Sequence, residues 1–240
     1  MSGVEIQLQR ILVAEDDFHI QDIVRRALNA EGFAVVSAAN GAEALRLIRR
    51  HGLPHLAVVD IHMPVMGGLE FCRRVLNFCD LPIIMLTGVD DEEVIVRSIE
   101  QYAEDYVIKP FRPRELVARV RRVLRRIGDF GYTLAPLIHV DPHLQIDFAN
   151  RKAIVANEEI ILTPIETKLL YILMRNSGRI VTTEFLLNRL WPLEEAQENR
   201  LRVHVHNVRQ KVECDPGQPY YIVSERGVGY RFPEQFSAAQ

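Results

Sequence analysis

Five times in the first half of this sequence, a short apolar run of strand-forming residues is followed by a stretch with apolar residues at helical spacing. The runs lie at 10–14, 33–38, 56–60, 81–87 and 105–109. Between them, Ile20, Ile23, Val24, Ala27 and Leu28 mark a helix closed by Gly32. Asn40 can cap a second helix through Ala44, Leu45 and Ile48. A Gly67-Gly68 turn leads into a third with Leu69, Val75 and Leu76, and acids at 90–93 open another after Thr87. Pro113 opens the last, through Leu116, Val117, Val120 and Leu124. Strand and helix in alternation, with short connections, predict an α/β unit: a five-stranded parallel sheet covered by helices on both faces, with right-handed crossovers.

In such a sheet the chemistry sits at the carboxyl ends of the strands. Those ends collect Glu15 and Asp16 after the first strand, Asp60 on the third, Thr87 on the fourth and Lys109 on the fifth. Asp17 reads as a helix cap. Three carboxylates close together repel one another and call for a hard divalent cation with oxygen ligands, and Mg²⁺ typically takes one or two protein carboxylates plus phosphate oxygens. A carboxylate beside such a cation can attack phosphorus and become an acyl phosphate. Lys109 would neutralise a phosphoryl oxygen and the Thr87 hydroxyl would hydrogen-bond another. Gly88 leaves room for that oxygen.

Bulk properties narrow the classes without choosing among them. The chain has 48% hydrophobic and 25% charged residues, ordinary for a soluble globular protein. No apolar run reaches membrane-span length and no signal peptide opens the chain, so a cytoplasmic location without a membrane partner is expected. Cys72, Cys79 and Cys214 have no metal-ligand spacing and read as free thiols. The net charge is −3; the first 126 residues carry 17 basic and 18 acidic side chains, the rest 12 and 14. Neither half is basic overall, so a nucleic-acid role requires a local patch. The run from Arg119 to Arg126 is basic, but it lies on an amphipathic helix and reads as a solvated face.

The second half has a different rhythm. A stretch at 128–136 with two Gly and a Pro reads as linker. Short strands follow at 137–140, 144–148, 153–156 and 160–162, predicting a small antiparallel sheet. Thr163 and Glu166 have capping-box spacing with Pro164 at the first helical position, and Gly178 ends that helix. Thr182 or Thr183 starts a second helix. A third, at 200–213, buries Leu201, Val205, Val208 and Val212, and a hairpin at 220–223 and 229–232 closes the unit around Arg226-Gly227. From 200 to 211 the third helix carries Arg200, Arg202, His204, His206, Arg209 and Lys211 and no acid. A helix of this kind beside a hairpin predicts an α+β winged helix-turn-helix with the third helix in the major groove of double-stranded DNA.

Two sets of motifs carry a resemblance. Ala14-Glu15-Asp16-Asp17, Val59-Asp60-Ile61-His62-Met63-Pro64, Leu86-Thr87-Gly88 and Lys109-Pro110-Phe111 resemble the receiver domain of bacterial response regulators. Leu162-Thr163-Pro164-Ile165-Glu166 with Leu169-Leu170, the Val203-His204-Val205 segment and Arg226-Gly227-Val228-Gly229-Tyr230-Arg231-Phe232 resemble the effector domain of the OmpR/PhoB class. The resemblance implies that Asp60 accepts a phosphoryl group from a sensor histidine kinase. It implies that Glu15, Asp16, Asp60 and the backbone carbonyl of His62 hold Mg²⁺, that Thr87 and Lys109 read the phosphoryl group, and that Tyr106 swings inward on activation. The His62 side chain itself is expected to face solvent. Val203, His204 and Arg209 would face the DNA groove, with Ser224 and Arg226 on the wing. Family dimers pair charges across a face for which Arg97, Glu104, Asp105, Glu115 and Arg119 are available here.

The chain also departs from the family. Tyr102 stands where Gly is common, and Ile95 where a basic residue would face Glu115. His206 and Asn207 replace common basic residues, which makes Asn207 an adenine-reading candidate. The segment 192–199 matches one that some relatives use to touch RNA polymerase. The expectation is a receiver at 1–126, a linker at 127–137 and a winged-helix domain at 138–235. It is a non-enzymatic regulator that dimerises on phosphorylation and binds DNA. Its rivals are a Mg²⁺ phosphohydrolase using Asp60, which would need a dedicated general acid, and a regulator that binds DNA without phosphorylation.

Overall fold

The computed structural model describes residues 9–88, 102–127, 136–192, 194 and 196–234. They form two compact units.

The first unit is built on β1 (Arg10–Ala14), β2 (Ala34–Ala38), β3 (Leu56–Asp60), β4 (Ile83–Thr87) and β5 (Asp105–Ile108). These pair in parallel in the order β2-β1-β3-β4-β5. All residues of β3 and β4 are buried, which is what their unbroken apolar runs require of strands covered on both faces. β5 lies at an edge and alternates buried with exposed.

The helices are α1 (Phe18–Ala30), α2 (Gly41–His51), α3 (Gly68–Val75) and α4 (Pro113–Ile127). Asp17 caps α1 by accepting the N–H groups of His19 and Ile20 at 2.8 and 3.2 Å. Asn40 Oδ1 accepts from Glu43 N at 2.9 Å, and Glu43 reaches back to Ala39 N at 2.8 Å. Val24 and Leu28 of α1 pack with Leu116, Val120 and Leu124 of α4 on Ile11, Val13, Val58 and Ile84 of the sheet.

The strand order reverses between β1 and β3. Such a reversal opens a crevice outside the carboxyl ends of the two strands. The Ile95 and Arg97 expectations, and the helix expected after Thr87, lie outside the described residues, as does most of the expected linker.

The second unit begins with a four-stranded antiparallel sheet of β6 (Ile138–His139), β7 (Leu144–Asp147), β8 (Lys152–Val155) and β9 (Glu158–Ile161). Three helices follow: α5 (Pro164–Arg175), α6 (Thr183–Leu190) and α7 (Glu198–Val212). The capping box of α5 is complete: Glu166 N donates to Thr163 Oγ1 and Thr163 N to Glu166 Oε2. The buried stripe of α7 is Leu201, Val205, Val208 and Val212.

The second sheet is three-stranded, with β10 (Ile180–Thr182), β12 (Gly229–Arg231) and β11 (Val223–Glu225) in that spatial order. Its first strand was not expected, because three residues are too few to show a period. The hairpin's first strand also starts later than its sequence suggests. The N–H groups of Tyr220, Tyr221 and Ile222 donate to the Glu213 carboxylate at 2.7, 3.0 and 2.8 Å instead of to a strand. Gly229 lets β12 meet β10, since a Cβ there would stand 2.0 Å from the Val181 carbonyl oxygen.

Candidate functional site

The crevice between β1 and β3 gathers the acids that the sequence put at strand ends. Ligand oxygens of Glu15, Asp16 and Asp60 lie within 4.8 Å of one another. Glu15 and Asp60 are buried, while Asp16 is exposed. Lys109, carried past the end of β5, places its Nζ 2.7 Å from Glu15 Oε2 and 3.1 Å from Asp60 Oδ1. Its backbone N–H donates to the Thr87 carbonyl at 2.7 Å, which fixes where the side chain starts. Thr87 is fully buried at the end of β4, its hydroxyl donating to the Gly88 carbonyl at 3.2 Å.

Burial pushes the Glu15 carboxyl above its ordinary pKa, with the neighbouring Asp60 adding to the rise and Lys109 opposing it. Asp60 is raised for the same reason, with Asp16 adding and Lys109 opposing. For Lys109 burial acts downward, but Glu15 and Asp60 outweigh it and hold the ammonium above its ordinary value. One ammonium thus bridges the two buried acids, with exposed Asp16 beside them. The donor set is all carboxylate oxygen and one member is open to solvent, which fits a hard divalent ion that keeps some of its water.

Two supports of this site were not read from the sequence. Gln21 Nε2 donates to the carbonyls of Glu15 and Ala38 at 2.8 and 3.0 Å, tying the ends of β1 and β2 together. Gly68 lets α3 start against Asp60: a Cβ there would stand 2.1 Å from the Asp60 carbonyl oxygen. A Gly-Gly pair signalled a turn; only the contact shows which glycine is obligatory. The His62 side chain is exposed. Tyr106 faces outward and is 37% exposed.

Of the residues expected at a dimer face, those among the described residues are already engaged within the chain. Asp105 is buried and accepts from Arg119 at 3.1 Å and from Arg122 at 2.6 Å. Arg119 also binds Glu115 at 2.8 Å. Arg122 was not among the expected partners. Glu104 donates its N–H to the Ile83 carbonyl at 2.8 Å.

The second candidate site is the face of α7 beside the hairpin. A groove of about 510 Å³ lies between them, lined among others by Thr183, Arg202, His206, Arg209, Ser224 and Arg226. Arg202 is exposed and pairs with Glu198 at 2.7 Å. Arg209 donates to the Ile222 carbonyl and, at 2.8 Å, to Ser224 Oγ, so it fastens the helix to the wing.

Two of the expected DNA-facing cations point elsewhere. Lys211 turns inward, donating to Glu166 Oε2 at 2.7 Å and to the Ile161 carbonyl at 3.1 Å. It sits about 200° round the helix from Arg209. Arg200 lies 4.6 Å over the Trp191 ring and pairs with Glu194. His204 packs half-buried on that same Trp191, and burial lowers its pKa. Asn207 is half-buried on the same flank, whereas Val203 and His206 are exposed.

Comparison with known proteins assigns a family to each half of the chain. Residues 11–121 match the family model for the response regulator receiver domain. Residues 157–232 match that for the C-terminal domain of transcriptional regulatory proteins. A receiver joined to such a domain defines a two-component response regulator that acts on transcription. The chain is 38% identical over 224 residues to the DNA-binding response regulator MtrA of Mycobacterium leprae, covering 93% of this chain and 97% of that one. It is equally identical over 232 residues to the probable transcriptional regulator ycf27 of Galdieria sulphuraria, covering 93% and 90%. The solved response regulator DrrB of Thermotoga maritima, an OmpR/PhoB homolog, is 30% identical over 95% of this chain and 100% of that one, with a TM-score of 0.46. The protein belongs to the OmpR/PhoB-type DNA-binding response regulators. Among the described residues, no helix is long and apolar enough to cross a membrane.

Proposed function

We propose that Asp60 is the phosphoacceptor of this regulator and that its phosphorylation by a sensor histidine kinase drives dimerisation and sequence-specific DNA binding. The observation that carries this reading is the convergence of Glu15, Asp16 and Asp60 within 4.8 Å, with the Lys109 ammonium between Glu15 and Asp60. An Asp60 carboxylate oxygen attacks the phosphorus of a phosphohistidine. The O–P bond forms as the N–P bond breaks, and the histidine nitrogen keeps the electron pair. Glu15, Asp16, Asp60 and the His62 carbonyl would hold Mg²⁺, which when bound supplies positive charge against the phosphoryl oxygens. Lys109 neutralises one of those oxygens and the Thr87 hydroxyl turns from the Gly88 carbonyl to another. Tyr106, outward here, follows Thr87 inward.

The consequences run outward from there. Arg119, Asp105 and Glu115 exchange partners within the chain for partners across a two-fold dimer, to which Glu104 and Arg97 also contribute. Residues 1–126 act as the receiver, 127–137 as a linker and 138–235 as the DNA-binding domain. Val203 and His206 contribute to the groove face with Arg202, His204, Asn207 and Arg209 on its flanks, Ser224 and Arg226 to the wing, and the segment 192–199 to a contact with RNA polymerase. The protein works in the cytoplasm, with at most slow self-dephosphorylation. Ile61 and His62 follow Asp60, so no second carboxylate stands there to serve as the general acid of a phosphohydrolase.

The test is incubation with acetyl phosphate and Mg²⁺, followed by intact mass. One phosphoryl group is expected on the parent and none on Asp60→Asn. Equal labelling of both, or steady turnover of phosphate esters by the parent, would overturn the assignment.

A further inference from the structure

We propose that α7 reads A·T base pairs, through an outer face of Asn199, Val203, His206 and Gln210 that contains no Arg or Lys. The inference rests on the reading of α7 as the recognition helix and adds what that helix selects. Residues on an α-helix advance by roughly 100°. Opposite the buried stripe of Leu201, Val205, Val208 and Val212 stand Asn199, Val203, His206 and Gln210, all exposed. A helix in the major groove presents this outer line to the base edges.

The cations of α7 occupy its two flanks, each with a partner there. On the wing flank Arg202 pairs with Glu198 and Arg209 with the Ile222 carbonyl. On the other flank Arg200 lies over Trp191 and Lys211 is bound by Glu166. The commonest specific contact to guanine is a bidentate Arg or Lys. Here that contact would have to reach in from a flank. Amide side chains instead pair with adenine N6 and N7, and an apolar side chain packs on the thymine methyl. Asn199 and Gln210 supply the amides, and Val203, 57% exposed, supplies the apolar contact. Asn207, the adenine reader suggested by sequence, is half-buried on the Trp191 flank and gives way to these two.

The experiment is selection of binding sites from random duplex DNA by the full-length protein, with and without acetyl phosphate. Affinities are then measured on the selected site and on altered copies. The expected half-site has an A·T core. Replacing a contacted adenine by 7-deazaadenine, which lacks only N7, should weaken binding roughly ten-fold or more. That penalty should vanish in Asn199→Ala or Gln210→Ala. Uracil in place of thymine should weaken the parent but not Val203→Ala. These side chains are on the surface, so the variants keep their fold, and non-specific DNA binding serves as the control. A guanine core whose preference is relaxed by Arg202→Ala would overturn the inference while leaving the winged-helix reading intact. An A·T preference indifferent to 7-deazaadenine would also overturn it, pointing to groove shape. Absence of any selected site would overturn the recognition-helix reading as well.

Discussion

Asp60 shows how a functional residue is held against its own preference. Burial resists its charge, two other carboxylates crowd it, and Lys109 with the His62 backbone N–H offsets them in part. Such a site is poised for added positive charge rather than optimised for rest. A second cost lies five residues further along the chain. Val65 has φ 67°, a left-handed conformation that a β-branched residue strongly resists, and its side chain is 88% exposed. It gains no core contact in return. Left-handed backbone costs an ordinary residue roughly 1–2 kcal/mol, and glycine's extra freedom in the unfolded chain takes back roughly 0.5–1 kcal/mol. Val65→Gly should therefore stabilise the receiver by about 0.5–1 kcal/mol in urea denaturation. A drop in stability would mean that the valine side chain has a partner the strain argument leaves out.

At the scale of elements, the wing depends on one carboxylate. Glu213, just beyond α7, is buried and accepts from three successive backbone N–H groups of the chain entering β11. A hydrogen bond to a buried charge is worth roughly 1.5–3 kcal/mol. Glutamine has one carbonyl oxygen in place of two charged ones and brings an N–H₂ group that faces donors. Glu213→Gln should cost the DNA-binding domain about 2–3 kcal/mol and loosen the wing. The check is denaturation together with amide exchange at Tyr221 and Ile222. Unchanged exchange there would show that β12 and Arg209 hold the wing without it. The cations of α7 teach a related lesson. A helix with four Arg and Lys residues looks like a uniform basic patch, yet Lys211 fixes α5 and Arg209 fixes the wing.

For the whole molecule, the proposed switch couples a small chemical change to association. Two linked DNA-binding domains gain effective concentration without any new base contact. Acetyl phosphate with Mg²⁺ should shift the parent from monomer toward dimer in analytical ultracentrifugation and tighten binding to a two-half-site duplex by about 100-fold. Asp60→Ala should show neither change, and a single half-site should show little gain. Equal affinity for parent and variant under all conditions would hand the protein to the phosphorylation-independent reading. The intrachain pairs of Asp105 with Arg119 and Arg122 make the dimer step an exchange of partners, so its net electrostatic gain is modest.

The sequence by itself determined the parts governed by local chemistry. Five βα periods set the first sheet, because strand and helix spacing are properties of neighbouring residues. Asp17, Asn40 and Thr163 marked their helices for the same reason. The order Glu15, Asp16, Asp60, Thr87, Lys109 was legible because parallel strands bring their carboxyl ends to one side. The brief β10, the need for glycine at 68 and 229, the Gln21 tie and the Glu213 anchor appeared only with the fold. Each is a contact made across a turn or between elements, or an element too short to have a period. The same holds for which side of α7 faces outward and which of its cations remain available. A charge is written in the sequence, but its partner is chosen by packing, and here packing gave Arg209 and Lys211 to the fold and the outer face to Asn199, Val203, His206 and Gln210.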